Sequence, residues 1–106
     1  MIRHTVMFTL RHEAGSQEEQ DFLESALVLA QIPTVKKFER LRQVSQKCDH
    51  QFGFSMEFDS EEDYETYNQH AFHTQFVNDR WIPEVASFQE IDYVAYETSP
   101  GTRERG

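Results

Sequence analysis

Apolar and polar residues alternate from the second residue onward. Ile2, His4, Val6, Phe8 and Leu10 share one face of an extended segment, and Arg3, Thr5, Met7, Thr9 and Arg11 share the other. A period of two with one strongly apolar face predicts a half-buried strand over residues 2–11. Gly15-Ser16 breaks the alternation. Ser16 followed by Glu19 is a capping box, because the serine hydroxyl can accept from an otherwise unpaired amide of a helix's first turn. The period then becomes helical, with Phe22, Leu23, Ala26, Leu27 and Ala30 as an apolar stripe. Pro33 ends the helix, since it disfavours helical geometry at the residue before it.

Residues 35–45 predict a second strand, with Phe38 and Val44 on one face and Val35 and Leu41 on the other. Lys36, Lys37, Arg40 and Arg42 make it the basic element of the chain, and long charged stems suit an outer strand. Lys47-Cys-Asp-His50 reads as a turn. The third strand is the plainest: Phe52, Phe54, Met56 and Phe58 alternate with Gly53, Ser55 and Glu57. The short polar loop between these strands predicts an antiparallel hairpin. Ser60 and Asp63 form a second capping box, and Glu61, Glu62 and Asp63 suit the positive end of a helix dipole. Tyr64 and Tyr67 lie three apart on that helix. After a pause at His70-Ala71 comes another helical stretch, with Phe72, Phe76 and Val77 inward and His73 in its first turn, ended or kinked by Ile82-Pro83. Residues 85–96 supply the last strand, Phe88 on one face and Ile91, Tyr93 and Ala95 on the other.

The resulting order, β-α-β-β-α-α-β, predicts an α+β domain over residues 1–98 and a disordered polar tail over 99–106. Its core is a split βαβ arrangement with a four-stranded antiparallel sheet. Helices cover one face of such a sheet. The other, carrying either residues such as Met7, Ile91 and Tyr93 or those on the opposite side of each strand, needs cover of its own. A second copy of the same sheet is the simplest cover, so a homodimer is expected.

Composition narrows the function classes. A chain of 106 residues is one domain with a modest core, yet 13% of it is aromatic, with nine Phe. Large rings either fill that core or line a surface meant for a partner or ligand. The formal net charge of -9 argues against nucleic acid and anionic membranes, which both call for Lys and Arg. No apolar run approaches the roughly 20 residues of a membrane span, and the N-terminus enters a strand pattern rather than a signal peptide. Cys48 is the single cysteine, which excludes an intrachain disulfide and fits a cytoplasmic location.

Four segments in order, Ile2-Arg-His4-Thr-Val-Met-Phe8, Phe52-Gly-Phe-Ser-Met-Glu-Phe58, Tyr67-x-x-His70-x-x-His73-x-x-Phe76-Val77 and Phe88-x-x-Ile91-Asp92-Tyr93, resemble the stress-responsive A/B barrel (Dabb) family over residues 2–96. The resemblance implies a ferredoxin-like protomer and a dimeric α/β barrel formed by two facing sheets. One member, the plant polyketide cyclase that makes olivetolic acid, is similar in the same segments. There a tyrosine and a histidine carry an intramolecular aldol condensation. By motif they correspond to Tyr67 and His73, and a first-strand histidine corresponds to His4. The chain departs from that enzyme at Phe52, where the cyclase has a pocket histidine, and at Ala71, where the family's His-Pro-x-His motif has proline.

The resemblance implies chemistry that these side chains can perform. A neutral imidazole at His73 can take a proton from carbon beside a carbonyl. A phenol at Tyr67 can stabilise the negative charge that develops on the carbonyl oxygen. A helix N-terminus at His73 would favour the uncharged base. His4 either supports this pair or is a buried histidine with one hydrogen bond. The expected function is therefore a cofactor-independent cyclase or lyase acting on a small carbonyl or aromatic compound. The alternatives are a non-catalytic homodimeric stress-response protein and a monooxygenase-like barrel, for which no residue marks a site. His70-x-x-His73 has metal-ligand spacing but lacks further ligands. Asp92, Tyr93 and Trp81 read as packing or interface residues, and Glu61, Glu62, Asp63 and Glu65 as a solvated helix face. An open pocket reaching Tyr67, His73 and His4 favours the enzyme. A filled interior with His73 bonded to backbone favours the non-catalytic protein.

Overall fold

Strands β1 (Ile2–Leu10), β2 (Lys36–Arg42), β3 (Phe52–Phe58) and β4 (Val85–Tyr93) form one antiparallel sheet in the order β2-β3-β1-β4. The structure is a computed structural model and describes residues 1–97. The tail expected at 99–106 lies outside the described residues, as does residue 98. The most apolar strands, β1 and β3, take the centre. In register, His4 lies opposite Met56 on β3 and Asp92 on β4, while Phe8 lies opposite Phe52 and Phe88. Every second residue therefore points to one face: Val6, Phe8 and Leu10 with Phe52, Phe54, Met56 and Phe58, all buried under the helices. Phe8 is the hub, with ring centroids 4.7 Å from Phe54, 5.1 Å from Trp81 and 5.8 Å from Phe22.

Both capping serines accept from the amide three residues on, Ser16 from Glu19 and Ser60 from Asp63, at 3.2 and 3.1 Å. They open α1 (Gln17–Ser25) and α2 (Glu61–Gln69). The first helix does not stay α-helical to Pro33. From Ala26 to Gln31 it tightens to a 3₁₀ helix. Residues three apart then share a face, so Ala26, Leu29 and Ile32 are buried while Leu27 and Ala30 turn outward. An α-periodic stripe through Leu27 and Ala30 is thus corrected by a local change of pitch.

In β2 the alternation also shifts. The four residues Lys36 to Glu39 face only the three from Glu57 to Ser55 on β3, which makes a bulge. Lys37 takes φ +54° there. The extra residue switches parity, so Val35 and Phe38 both pack on the core instead of lying on opposite faces.

The third helix, α3 (Ala71–Phe76), is capped by His70, whose ring accepts from the Phe72 amide at 3.0 Å. Phe76 is buried, but Phe72 points outward, against the expectation from its spacing. Beyond α3 the turn widens to π geometry over Val77–Trp81, where the Ile82 amide reaches five residues back to the Val77 carbonyl. Pro83 has no amide to continue an α ladder, and a single turn at Ile82–Glu84 leads into β4. Among the described residues, no helix is long and apolar enough to cross a membrane.

Candidate active site

A cavity of about 350 Å³ opens between the sheet and the helical layer. His4 and Val6 of β1, Phe54 and Met56 of β3, and Phe88 and Glu90 of β4 line one side. Tyr67 and Asn68 of α2, His73 and Phe76 of α3, and Trp81 line the other. The three residues singled out from sequence, Tyr67, His73 and His4, therefore meet in one space. The break between α2 and α3 makes this possible. Once His70 leaves helical geometry at ψ 142°, the axis turns and His73 folds back over Tyr67. Their ring centroids lie 4.5 Å apart.

Among the described residues, His73 is held by one hydrogen bond. Its Nδ1–H donates to the Asn68 carbonyl at 3.0 Å, which fixes the tautomer and leaves Nε2 as the acceptor. Both features named above as opposing signs are thus present, an open pocket and a backbone bond, and the bond sets the ring's orientation. Burial pushes the His73 pKa below the usual imidazole value, and the nearby His4 adds to this. The Asn68 bond and the Glu90 carboxylate oppose it in part. The base form is thus favoured mainly by burial, not by the end of a six-residue helix. Tyr67 is buried, and its hydroxyl has no hydrogen-bond partner among the described residues yet is not sealed from solvent. Burial, reinforced by the Glu90 charge, pushes its phenol above the ordinary value, so it stays protonated. One acceptor and one donor, both unpaired, thus flank the same cavity.

His4 has a shell that sequence reasoning missed. Its Nδ1 lies 2.6 Å from Asp92 Oδ1 and 2.8 Å from the Tyr64 hydroxyl, which itself donates to Asp92 Oδ2 at 2.9 Å. With Nδ1 engaged, Nε2 is the ring atom near Glu90, at 3.9 Å from its carboxylate. Burial, then the bond to Asp92, raises the Tyr64 pKa and keeps it a donor. Asp92 was expected to be a packing or interface residue; it is instead the carboxylate that orients His4. The available signal was its shared parity with Phe88, which places it on the helix-facing side. Pairing it with His4 required the β1–β4 register. Trp81 packs in the core as expected, against Phe8 and Phe88, and also lines the cavity.

Other singled-out residues lie elsewhere. Phe52 is buried against Phe8, under the Arg42 guanidinium, and outside the cavity lining. Ala71 opens α3. His70 and His73 serve different partners, and no group of three potential metal ligands occurs among the described residues. Cys48 sits in the β2–β3 loop, 3.7 Å from the Met7 sulfur.

The model of the family Dabb, Stress responsive A/B Barrel Domain, matches residues 2–95. A Dabb family protein with a ferredoxin-like fold from Mesorhizobium loti is 54% identical, with a TM-score of 0.89 over 91% of this chain and 97% of that one. Hydroxynitrile lyase from Passiflora edulis is 15% identical, with a TM-score of 0.76 over 93% of this chain and 96% of the lyase. A dimeric ferredoxin-like protein of unknown function from Thermobifida fusca is 17% identical, with a TM-score of 0.74 over 89% and 90% of the two chains. The last two share the fold. No curated protein matches the chain.

Proposed function

This chain belongs to the stress-responsive A/B barrel domain family, and on that footing we propose that it is a homodimeric, cofactor-independent acid–base catalyst of the lyase or cyclase kind for a small carbonyl or aromatic compound. That chemistry rests on one observation: the rings of Tyr67 and His73 stand 4.5 Å apart, centroid to centroid, on the wall of a single cavity, each with a polar atom unpaired among the described residues. In the proposed step, His73 Nε2 takes a proton from the carbon next to a carbonyl. The C–H electron pair moves into the new C=C bond, and the carbonyl π pair moves onto oxygen. The Tyr67 hydroxyl donates a hydrogen bond to that oxygen as its charge grows. Returning the proton reverses the step, and attack of the enolate on a second carbonyl closes a ring. His4, fixed by Asp92 and Tyr64, orients the reacting group.

The test is deuterium uptake at the α-carbon of aryl methyl ketones in heavy water, followed by NMR. Wild-type protein is expected to speed uptake well above buffer for at least one ketone. No acceleration across the set would contradict the assignment.

The uncovered sheet face supports the proposed dimer. Met7, Leu41, Ile91 and Tyr93 lie on it, and Leu41 and Tyr93 are 45% and 52% exposed in the single chain. A second sheet would remove that apolar area from water. Sedimentation at low micromolar concentration is expected to give twice the chain mass, and monomer alone would contradict it.

A further inference from the structure

We infer that Glu90 makes the cavity selective for small neutral aromatic compounds that carry a hydrogen-bond donor, phenolic ketones being the type, and that it excludes carboxylates of the same shape. This deepens the acid–base function proposed above and concerns the same cavity, but it is a statement about binding and can be read without turnover.

Glu90 stands opposite Val6 in the β1–β4 register, on the helix-facing side of the sheet, and its carboxylate lies 3.9 Å from His4 Nε2. It lines the cavity, whereas among the described residues no lysine or arginine does. An anion entering this space would meet a like charge with no guanidinium or ammonium to pair with, inside a chain of net charge -9. A neutral hydroxyl gains instead, because donating to a carboxylate makes a charge-assisted hydrogen bond. A cation would also be attracted, but the wall is mostly apolar, with Phe54, Phe76, Trp81 and Phe88 among its residues. Apolar rings strip water from a charged ligand, and one carboxylate already facing His4 does not replace that hydration. The same rings favour an aromatic body. The ligand that satisfies every group has its carbonyl at Tyr67 and His73 and its hydroxyl at Glu90.

Three probes with the same phenol ring separate the charges: 4-hydroxyacetophenone, 4-hydroxybenzoate and 4-hydroxybenzylamine. Each is titrated calorimetrically into wild type and Glu90→Gln at neutral pH. The ketone is expected to bind wild type about tenfold or more tighter than the benzoate and tighter than the amine. In Glu90→Gln the benzoate is expected to recover to within about threefold of the ketone, since its repulsion is gone while an amide remains to meet the phenol. Benzoate binding as tightly as ketone in wild type would overturn the inference. So would an unchanged ratio in Glu90→Gln, tighter binding of the amine, or no ketone binding at millimolar concentration. A protein that shows this selectivity yet exchanges no α-proton would keep the binding assignment and lose the catalytic one.

Discussion

His73→Ala is expected to lower the rate of α-proton exchange on a bound aryl ketone by about 10²–10⁴-fold, the usual contribution of a positioned general base. The fold should survive, because His73 is only half-buried and its one hydrogen bond is to the Asn68 carbonyl at a helix end. Unchanged far-ultraviolet dichroism would establish that. Tyr67→Phe keeps the ring that packs 5.1 Å from Phe58 and removes only the hydroxyl. The enolate oxygen then loses its donor, a loss of about 10²–10³-fold for comparable oxyanion contacts. The two variants also differ in kind: without the base the proton has nowhere to go, while without the phenol it goes to a costlier enolate. Exchange at the wild-type rate in His73→Ala would move the base to His4, the other cavity imidazole.

The largest effect on stability is expected from Phe8→Ala, about 3–5 kcal/mol by urea unfolding. Phe8, on one central strand, is fully buried and touches two rings of the other, β3, one of α1 and Trp81 at the turn before β4. Its removal leaves a void at the junction of sheet and helical layer. With small domains stable by only about 5–15 kcal/mol, such a loss takes a large part of the whole. It also loosens Trp81, the single tryptophan and one wall of the cavity. Phe72→Ala is the contrasting case. Phe72 is 37% exposed and lies outside the core, so its removal should matter by less than about 1 kcal/mol. Equal losses from the two would contradict the assignment of the core.

Those two phenylalanines also mark how far the chain could be read unaided. Phe8 was legible because strand alternation needs only the sign of each neighbour. Phe72 was not, because α3 is short and its rotation follows from the break at His70, where an imidazole rather than serine or aspartate supplies the cap. Leu27 and Ala30 were misplaced for a related reason. A change from α to 3₁₀ pitch alters which residues share a face without changing composition. Val35 was misplaced by one inserted residue at Lys37. The site divides the same way. Tyr67 and His73 are six residues apart on consecutive helices, and local motif and resemblance brought them together. Asp92 reaches His4 across 88 positions of chain. Only the pairing of β1 with β4 joins them, and strand register is a property of the whole sheet. Glu90 reaches the cavity by the same pairing.

The claim at the centre of this account is that an uncharged His73 acts as base beside a protonated Tyr67. The pH dependence of α-proton exchange tests it most directly. Burial puts the His73 pKa below 6.5, so the base form should already predominate at that pH, and activity should fall to half only below it. The Tyr67 pKa lies above 10.0, so its hydroxyl should remain a donor up to that pH. After subtraction of the hydroxide-catalysed background, the account predicts an acid limb whose midpoint lies below 6.5 and a rate that is level from about pH 7.5 to 10. An acid midpoint at or above 6.5, or a rate that falls away before pH 10, would contradict it.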